Sequence, residues 1–241
     1  MRKRIFFFAF FLLPVLCWSC DKDPGIEQII EVEKETEPEK ESDDEPNDES
    51  DGGSNEPTGD GNDNPTVSIL NFLGDSIIDN WNNINDYFPD YECHNYGWST
   101  KGINTFLGRV NIQILEGTEC IVEIGTNDMR TVINNGTIDS YIEHYIDVLI
   151  SLKAKRIYLL SLLPRNRAKD GGFDYNSHYP EYNKKIESRV ADRMDNVVYV
   201  PMYDLFLKDG KINWDYSNDG LHPNAKGYEV MAKRIREYLV K

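Results

Sequence analysis

Between Pro65 and Lys241, short apolar runs recur with one amphipathic stretch in each interval, and this alternation restricts the chain more than any other feature. Val67–Leu73, Glu119–Ile124, Arg156–Leu162 and Val197–Val200 are rich in Val, Ile, Leu and aromatic residues, as strands covered on both faces require. A shorter strand is expected at Tyr91–Asn95. The intervals hold a helix starting near Ser76, an amphipathic segment from Lys101 to Leu115, and a helix from Thr137 to about Lys153. In the last, Ile138, Tyr141, Ile142, Tyr145, Ile146 and Leu149 share one stripe, and Thr137 suits the N-cap. Further helices are expected over 180–194 and 225–240, the latter started by Pro223. Strands joined by helical crossovers pair in parallel, which predicts an α/β fold: a three-layer α/β/α sandwich around a parallel sheet of about five strands. Ligands in such sheets bind outside the carboxyl ends of the strands, where the strand order reverses.

The first 64 residues follow different rules. Residues 1–20 open with Arg2, Lys3 and Arg4, continue without charge from Ile5 to Leu13, and reach Ser19-Cys20. A basic start, a short apolar core and a small residue before the break read as a secretory signal, too short for a membrane span of about 20 residues. Cys20 behind Ser19 resembles the lipidated cysteine of a bacterial lipoprotein signal, and Cys20-Asp-Lys-Asp23 an export tag of surface lipoproteins, although Cys17 departs from the usual leucine. The expected location is the cell envelope, lipid-anchored through Cys20 at the outer-membrane surface, with no other membrane contact. An ordinary cleaved signal is the alternative.

Residues 21–64 hold 18 Asp and Glu against 3 Lys, a charge of −15. So few apolar residues cannot offset chain entropy, which predicts an acidic, disordered tether. Residues 65–241 carry 24 acidic and 20 basic residues, so the domain is only at −4 and most of the chain's −16 belongs to the tether. No basic stripe marks a nucleic-acid surface. Cys93 and Cys120 fall on strands flanking the first, two inter-strand spacings of roughly 9–10 Å apart and beyond disulfide reach, so both are expected as buried thiols.

Four blocks at strand ends carry the chemistry: Gly74-Asp-Ser76 after the first strand, Gly97 after the second, Gly125-Thr-Asn127-Asp128 after the third, and Asp219-Gly-Leu-His222 before the last helix. A serine hydroxyl is a poor nucleophile at neutral pH; a histidine must take its proton and a carboxylate must orient that histidine. Each block also has a plainer reading: Ser76 as an N-cap, Asn127 as a turn residue, His222 as a surface histidine, Asp75 and Asp128 as structural acceptors. In order and together, they resemble the four blocks of the SGNH (GDSL) hydrolase superfamily, across essentially all of 65–241. The resemblance implies a flavodoxin-like sheet and an esterase or acylhydrolase in which Ser76 is the nucleophile, His222 the base and Asp219 its orienting acid. It implies an oxyanion hole from the Ser76 and Gly97 backbone N–H groups and the Asn127 amide. No histidine–cysteine–carboxylate spacing matches a zinc site and no phosphate loop follows the first strand, so neither metal nor other cofactor is expected.

Specificity should lie in the long Arg165–Tyr179 connection at the site end. Trp81, Trp98 and Trp214 stand near the surrounding loops as candidates to stack on sugar or line an acyl pocket, or as ordinary packing residues. Arg165 and Arg167 read as contacts to an anionic substrate group or as solvated loop charges. The expected reaction is hydrolysis of short acyl esters, acetyl foremost, on a small molecule or carbohydrate. The alternatives are a lipase or lysophospholipase-type acylhydrolase, a glycan-binding module without catalysis, and a flavodoxin-like nucleotide binder.

Overall fold

The computed structural model describes residues 67–239. The signal segment 1–20 with Cys20, and the tether 21–64, lie outside the described residues.

Five strands form one parallel sheet: β1 (Ser68–Gly74), β2 (Tyr91–Asn95), β3 (Glu119–Glu123), β4 (Arg156–Leu160) and β5 (Val197–Val200), in the order β2-β1-β3-β4-β5. The helices are α1 (Ser76–Asp79), α2 (Ile84–Tyr87), α3 (Met129–Asn134), α4 (Ile138–Ser151), α5 (Tyr179–Arg193), α6 (Tyr203–Phe206) and α7 (Ala225–Tyr238). A two-stranded hairpin, β6 (Leu207–Lys208) and β7 (Lys211–Ile212), precedes the last helix.

Side-chain alternation divides the core between the two faces of the sheet. Leu70 and Phe72 of β1 join Ile121, Tyr158 and Leu160 under α1, α2 and α7, with Trp81, Met231 and Ile235. Leu73 joins Val122, Ile157 and Leu159 under α4 and α5, with Ile142, Tyr145, Ile146 and Ile186. β1 and β3 are therefore covered on both sides, which is why their sequences show no alternation, although they bury Asn71 and Glu123. β2 is an edge strand whose one inward apolar residue is Cys93, between exposed Glu92 and half-buried His94; charged or polar side chains on an edge discourage pairing with another chain.

Cys93 pairs in register with Leu70 and Cys120 with Asn71, so β1 separates them, and they point into different core clusters. Both thiols are free, and burial pushes each up to about 11.

Three local expectations are corrected. The amphipathic stretch 101–115 forms two 3-10 turns, Phe106–Arg109 and Ile112–Leu115. Gly102 lies so close to the Asp128 carboxylate, and Ile103 N–H is so firmly held by it (2.9 Å), that tertiary contacts decide the backbone there. Thr137 stands at the N-cap of α4, but its hydroxyl donates to Val132 O (3.4 Å) rather than capping the helix. Pro223 does not start α7; Asn224 caps it, its side chain accepting from Gly227 N.

Candidate active site

The order of strands reverses between β1 and β3: from β1 the chain moves to β2 on one side, then returns past β1 to β3 on the other. Gly74, the last residue of β1, pairs with Glu123, the last of β3, so the loops bearing Ser76 and Asn127 leave the sheet side by side.

Ser76 occupies the first turn of α1. The cap is Asp75, not Ser76: Asp75 Oδ1 accepts from Ile77 N (3.0 Å), which leaves the serine hydroxyl uncommitted to the helix. Ser76 Oγ lies 2.9 Å from His222 Nε2, 146 residues away in sequence. The base loop is held to α1 by α7, because Tyr228 in its first turn donates its hydroxyl to Ile77 O (2.8 Å).

The base loop is built around one carboxylate. Asp219 Oδ1 accepts from His222 N (2.8 Å) and Leu221 N (3.0 Å), and Oδ2 lies 2.8 Å from His222 Nδ1. A carboxylate accepts only, so Nδ1 carries the ring proton and Nε2 presents its lone pair to the Ser76 hydroxyl. Gly220, between them, has φ of +79° and donates to Ser217 Oγ (3.1 Å); the left-handed turn is what lets the loop fold back over Asp219. Partial burial works against the Asp219 charge, but the amides of His222 and Leu221 and the imidazole outweigh it and hold the acid down at about 2.

Asp75 and Glu123 behave oppositely. Both are fully buried, and loss of solvent pushes both up, Asp75 to about 7 despite the Ile77 amide; each also feels the other or a further acid nearby. Asp128 acts as a structural acceptor, from Ile103 N (2.9 Å) and Tyr141 Oη (2.7 Å).

The expected oxyanion donors are not all free. Gly97 packs against α1 so tightly that a Cβ would stand 2.2 Å from Asp79 N, which explains the glycine. Its N–H, however, donates to Asn95 Oδ1 (2.9 Å), and the Asn95 amide donates to Ile78 O (2.8 Å). Asn127 Nδ2 donates to Lys101 O (2.9 Å) and reaches Asp75 Oδ2 at 3.4 Å. Asn95 was not anticipated, although an asparagine two residues before a glycine is a recognised turn signal.

The substrate-contact candidates separate. Trp81 is corrected outright: it is 1 % exposed and stacks on Tyr228 at 4.8 Å, inside the core. Arg165 is corrected as well. It forms a two-point pair with Asp170, lies over the Tyr175 ring at 4.0 Å and reaches Thr126 O, so it ties the Arg165–Asn176 connection to the β3 loop. Trp98 is half-buried, with Lys101 Nζ 4.3 Å and the Arg109 guanidinium 4.9 Å from its ring centre. Trp214 is the exposed one, at 54 %.

A serine hydroxyl, an imidazole and a carboxylate stand in line at the switch point of a parallel sheet, an arrangement suited to acyl transfer. The sequence model of the GDSL-like lipase/acylhydrolase family matches residues 72–230. The chain belongs to that family. Solved structures agree in fold. A GDSL-like lipase from Bacteroides thetaiotaomicron is 21 % identical over 71 % of this chain and 87 % of its own, with a TM-score of 0.55. An acetyl-xylooligosaccharide esterase from Geobacillus stearothermophilus is 18 % identical over 72 % of this chain and 95 % of its own, with a TM-score of 0.52. A Streptococcus pneumoniae chain named for platelet activating factor is 22 % identical over 73 % of this chain and 86 % of its own, at 0.60. At such identities the likeness concerns the fold. No curated protein matches the sequence. This family member carries the α/β fold of the GDSL-like acylhydrolases around its five-stranded parallel sheet.

Proposed function

We propose that the protein is a serine esterase that removes short acyl groups, acetyl foremost, from carbohydrate. The observation that carries this reading is the Ser76–His222–Asp219 relay, with links of 2.9 and 2.8 Å. Ser76 Oγ attacks the ester carbon while its proton passes to His222 Nε2. The resulting imidazolium is stabilised by Asp219, which stays ionised. The carbonyl oxygen becomes an oxyanion beside the Ser76 N–H, Gly97 N–H and Asn127 amide. A charged acceptor forms bonds roughly twice as strong as neutral ones, so it competes well against Asn95 Oδ1 and Lys101 O for those donors. Collapse breaks the bond to the sugar oxygen, which takes the proton from Nε2 and leaves acyl-Ser76. Water, deprotonated by His222, then releases the carboxylic acid and restores the hydroxyl.

A polar alcohol portion is favoured by the surroundings of the relay. One cavity of about 520 Å³ beside Gly97 is lined by Asp79, Asn95 and Arg109 together with Trp81 and Ile84, and another of about 550 Å³ beside the base loop by Arg167, Asn176 and Lys211 together with Phe173, Tyr175 and Trp214. Hydrogen-bonding groups interleaved with aromatic faces suit a sugar ring. Neighbours in fold that act on acetylated xylo-oligosaccharide support the same reading. Anchoring through Cys20 would place the enzyme where envelope-exposed glycans arrive; Cys20→Ser releasing the protein from the membrane fraction tests that part.

Turnover of p-nitrophenyl esters of increasing chain length, with acetate release from acetylated glycans, tests the activity. Acetate should be preferred, and Ser76→Ala should lower kcat by about 10⁶-fold with folding retained. A preference for long chains, or substantial turnover by Ser76→Ala, refutes the proposal.

A further inference from the structure

The cavity of about 550 Å³ lies between the Arg165–Asn176 connection and the β6–β7 hairpin. Two of its lining residues touch the base loop. Asn166 N donates to Gly220 O (2.8 Å), and Arg167 Nε stands 3.9 Å from Asp219 Oδ2. Its walls are fixed before any ligand arrives. Asn176 Nδ2 donates to both Arg165 O (2.7 Å) and Gly210 O (3.0 Å), clamping the connection onto the hairpin, and the Arg165–Asp170 pair stiffens the floor.

The charges facing this space are unbalanced. Arg165, Arg167 and Lys211 stand in the lining against Asp170, which pairs with Arg165, and Asp174, which accepts from Ser177 N (3.2 Å), so the lining itself has one cation in excess. Lys211 is exposed and makes no ion pair among the described residues; Arg167 Nε stands 3.9 Å from Asp219 Oδ2, and its backbone N–H donates to Asp170 Oδ2 (3.3 Å). Beside these cations stands Trp214, 54 % exposed. A domain with a net charge of −4 therefore presents, next to its base loop, one unpaired cation, Lys211, a guanidinium held to Asp219 only at 3.9 Å, and a flat indole.

We propose that this cavity is a subsite for a sugar residue bearing a carboxylate, so that the esterase acts on acylated acidic glycans containing hexuronic acid units. The inference rests on the esterase reading for the acyl group, but not for the binding itself. An indole stacks on the apolar face of a pyranose. A guanidinium presents paired donors that match a carboxylate, and an ammonium adds a point charge. A neutral glycan would satisfy the indole and leave Lys211 with water.

The test uses the full chain carrying Ser76→Ala and calorimetric binding of tetragalacturonic acid and glucuronate-branched xylotetraose, against plain xylotetraose. At least one acidic probe should bind roughly tenfold more tightly than the neutral one. The gap should close at about 0.5 M salt, where charges are screened within a few ångströms, and in Lys211→Glu. Trp214→Ala should weaken acidic and neutral probes alike. Equal affinities, or a gap that survives Lys211→Glu, overturn the subsite. Wild-type turnover of p-nitrophenyl acetate is measured in parallel. Absent turnover with the binding gap intact would sink the acyl-transfer reading and leave the acidic-glycan site standing.

Discussion

Asp219→Asn separates the carboxylate's two tasks. The asparagine Oδ1 can still accept from His222 N and Leu221 N, the two bonds at 2.8 and 3.0 Å that shape the loop. Its Nδ2, a donor, then faces His222 Nδ1, where Oδ2 now stands at 2.8 Å. Nδ1 must become the acceptor and the ring proton moves to Nε2, which points a donor at Ser76 Oγ across 2.9 Å. The hydroxyl loses its base without the loop losing its frame. Such a tautomer change lowers kcat by about 10⁴, or about 5.4 kcal/mol at 1.36 kcal/mol per tenfold. Stability should change much less. The Asp219 acid is held at about 2 against an ordinary 3.8, and the side chain is 41 % exposed. Solvent screening reduces the ceiling of about 2 kcal/mol to about 1 kcal/mol. That contribution is present above pH 3.8 and lost as pH falls through about 2. The assay is kcat for p-nitrophenyl acetate at pH 8 beside urea unfolding at the same pH. A loss smaller than tenfold, or one that tracks unfolding, refutes the assigned role.

Asn127→Ala should lower kcat for p-nitrophenyl acetate by about 10²–10³ with KM little changed, since the amide is needed most when the oxygen is charged; a change confined to KM contradicts this. Gly97→Ala should cost about 1–3 kcal/mol in urea unfolding, because its Cβ would collide with the Asp79 backbone at 2.2 Å; a neutral effect would mean α1 can shift freely. Asp75 has its acid raised by burial to about 7, so its stabilising contribution is complete below pH 3.8 and is lost as pH rises through about 7. Asp75→Asn stays neutral and should gain about 2–4 kcal/mol relative to the parent between pH 4 and pH 8, in urea unfolding followed against pH. A constant difference across that range would show that Asp75 is not the titrating group.

The strands were legible in apolar patterning, and the residues that the structure brings together beside Ser76 were legible as candidates. An apolar run such as Ile157–Leu160 has few other places to go than a two-sided sheet; Ser76 and Asn127 sit just past strand ends, and Asp219 and His222 just ahead of the last helix. Patterning could also exclude a Cys93–Cys120 bond, because strand spacing is a local property of sheets. The tertiary structure alone decided what each polar donor faces. Whether the Gly97 N–H is free or taken by Asn95, and whether Trp81 meets solvent or Tyr228, depends on packing between segments far apart in the chain. The same holds for Arg165, whose charge was legible but whose partner Asp170 was not, and for the two 3-10 turns near Asp128, where contact overrode helical periodicity. Periodicity reports which side of an element avoids water. It carries no information on which of several nearby acceptors a hydrogen-bond donor will reach, since that is fixed by differences of a few ångströms that arise only once the layers close.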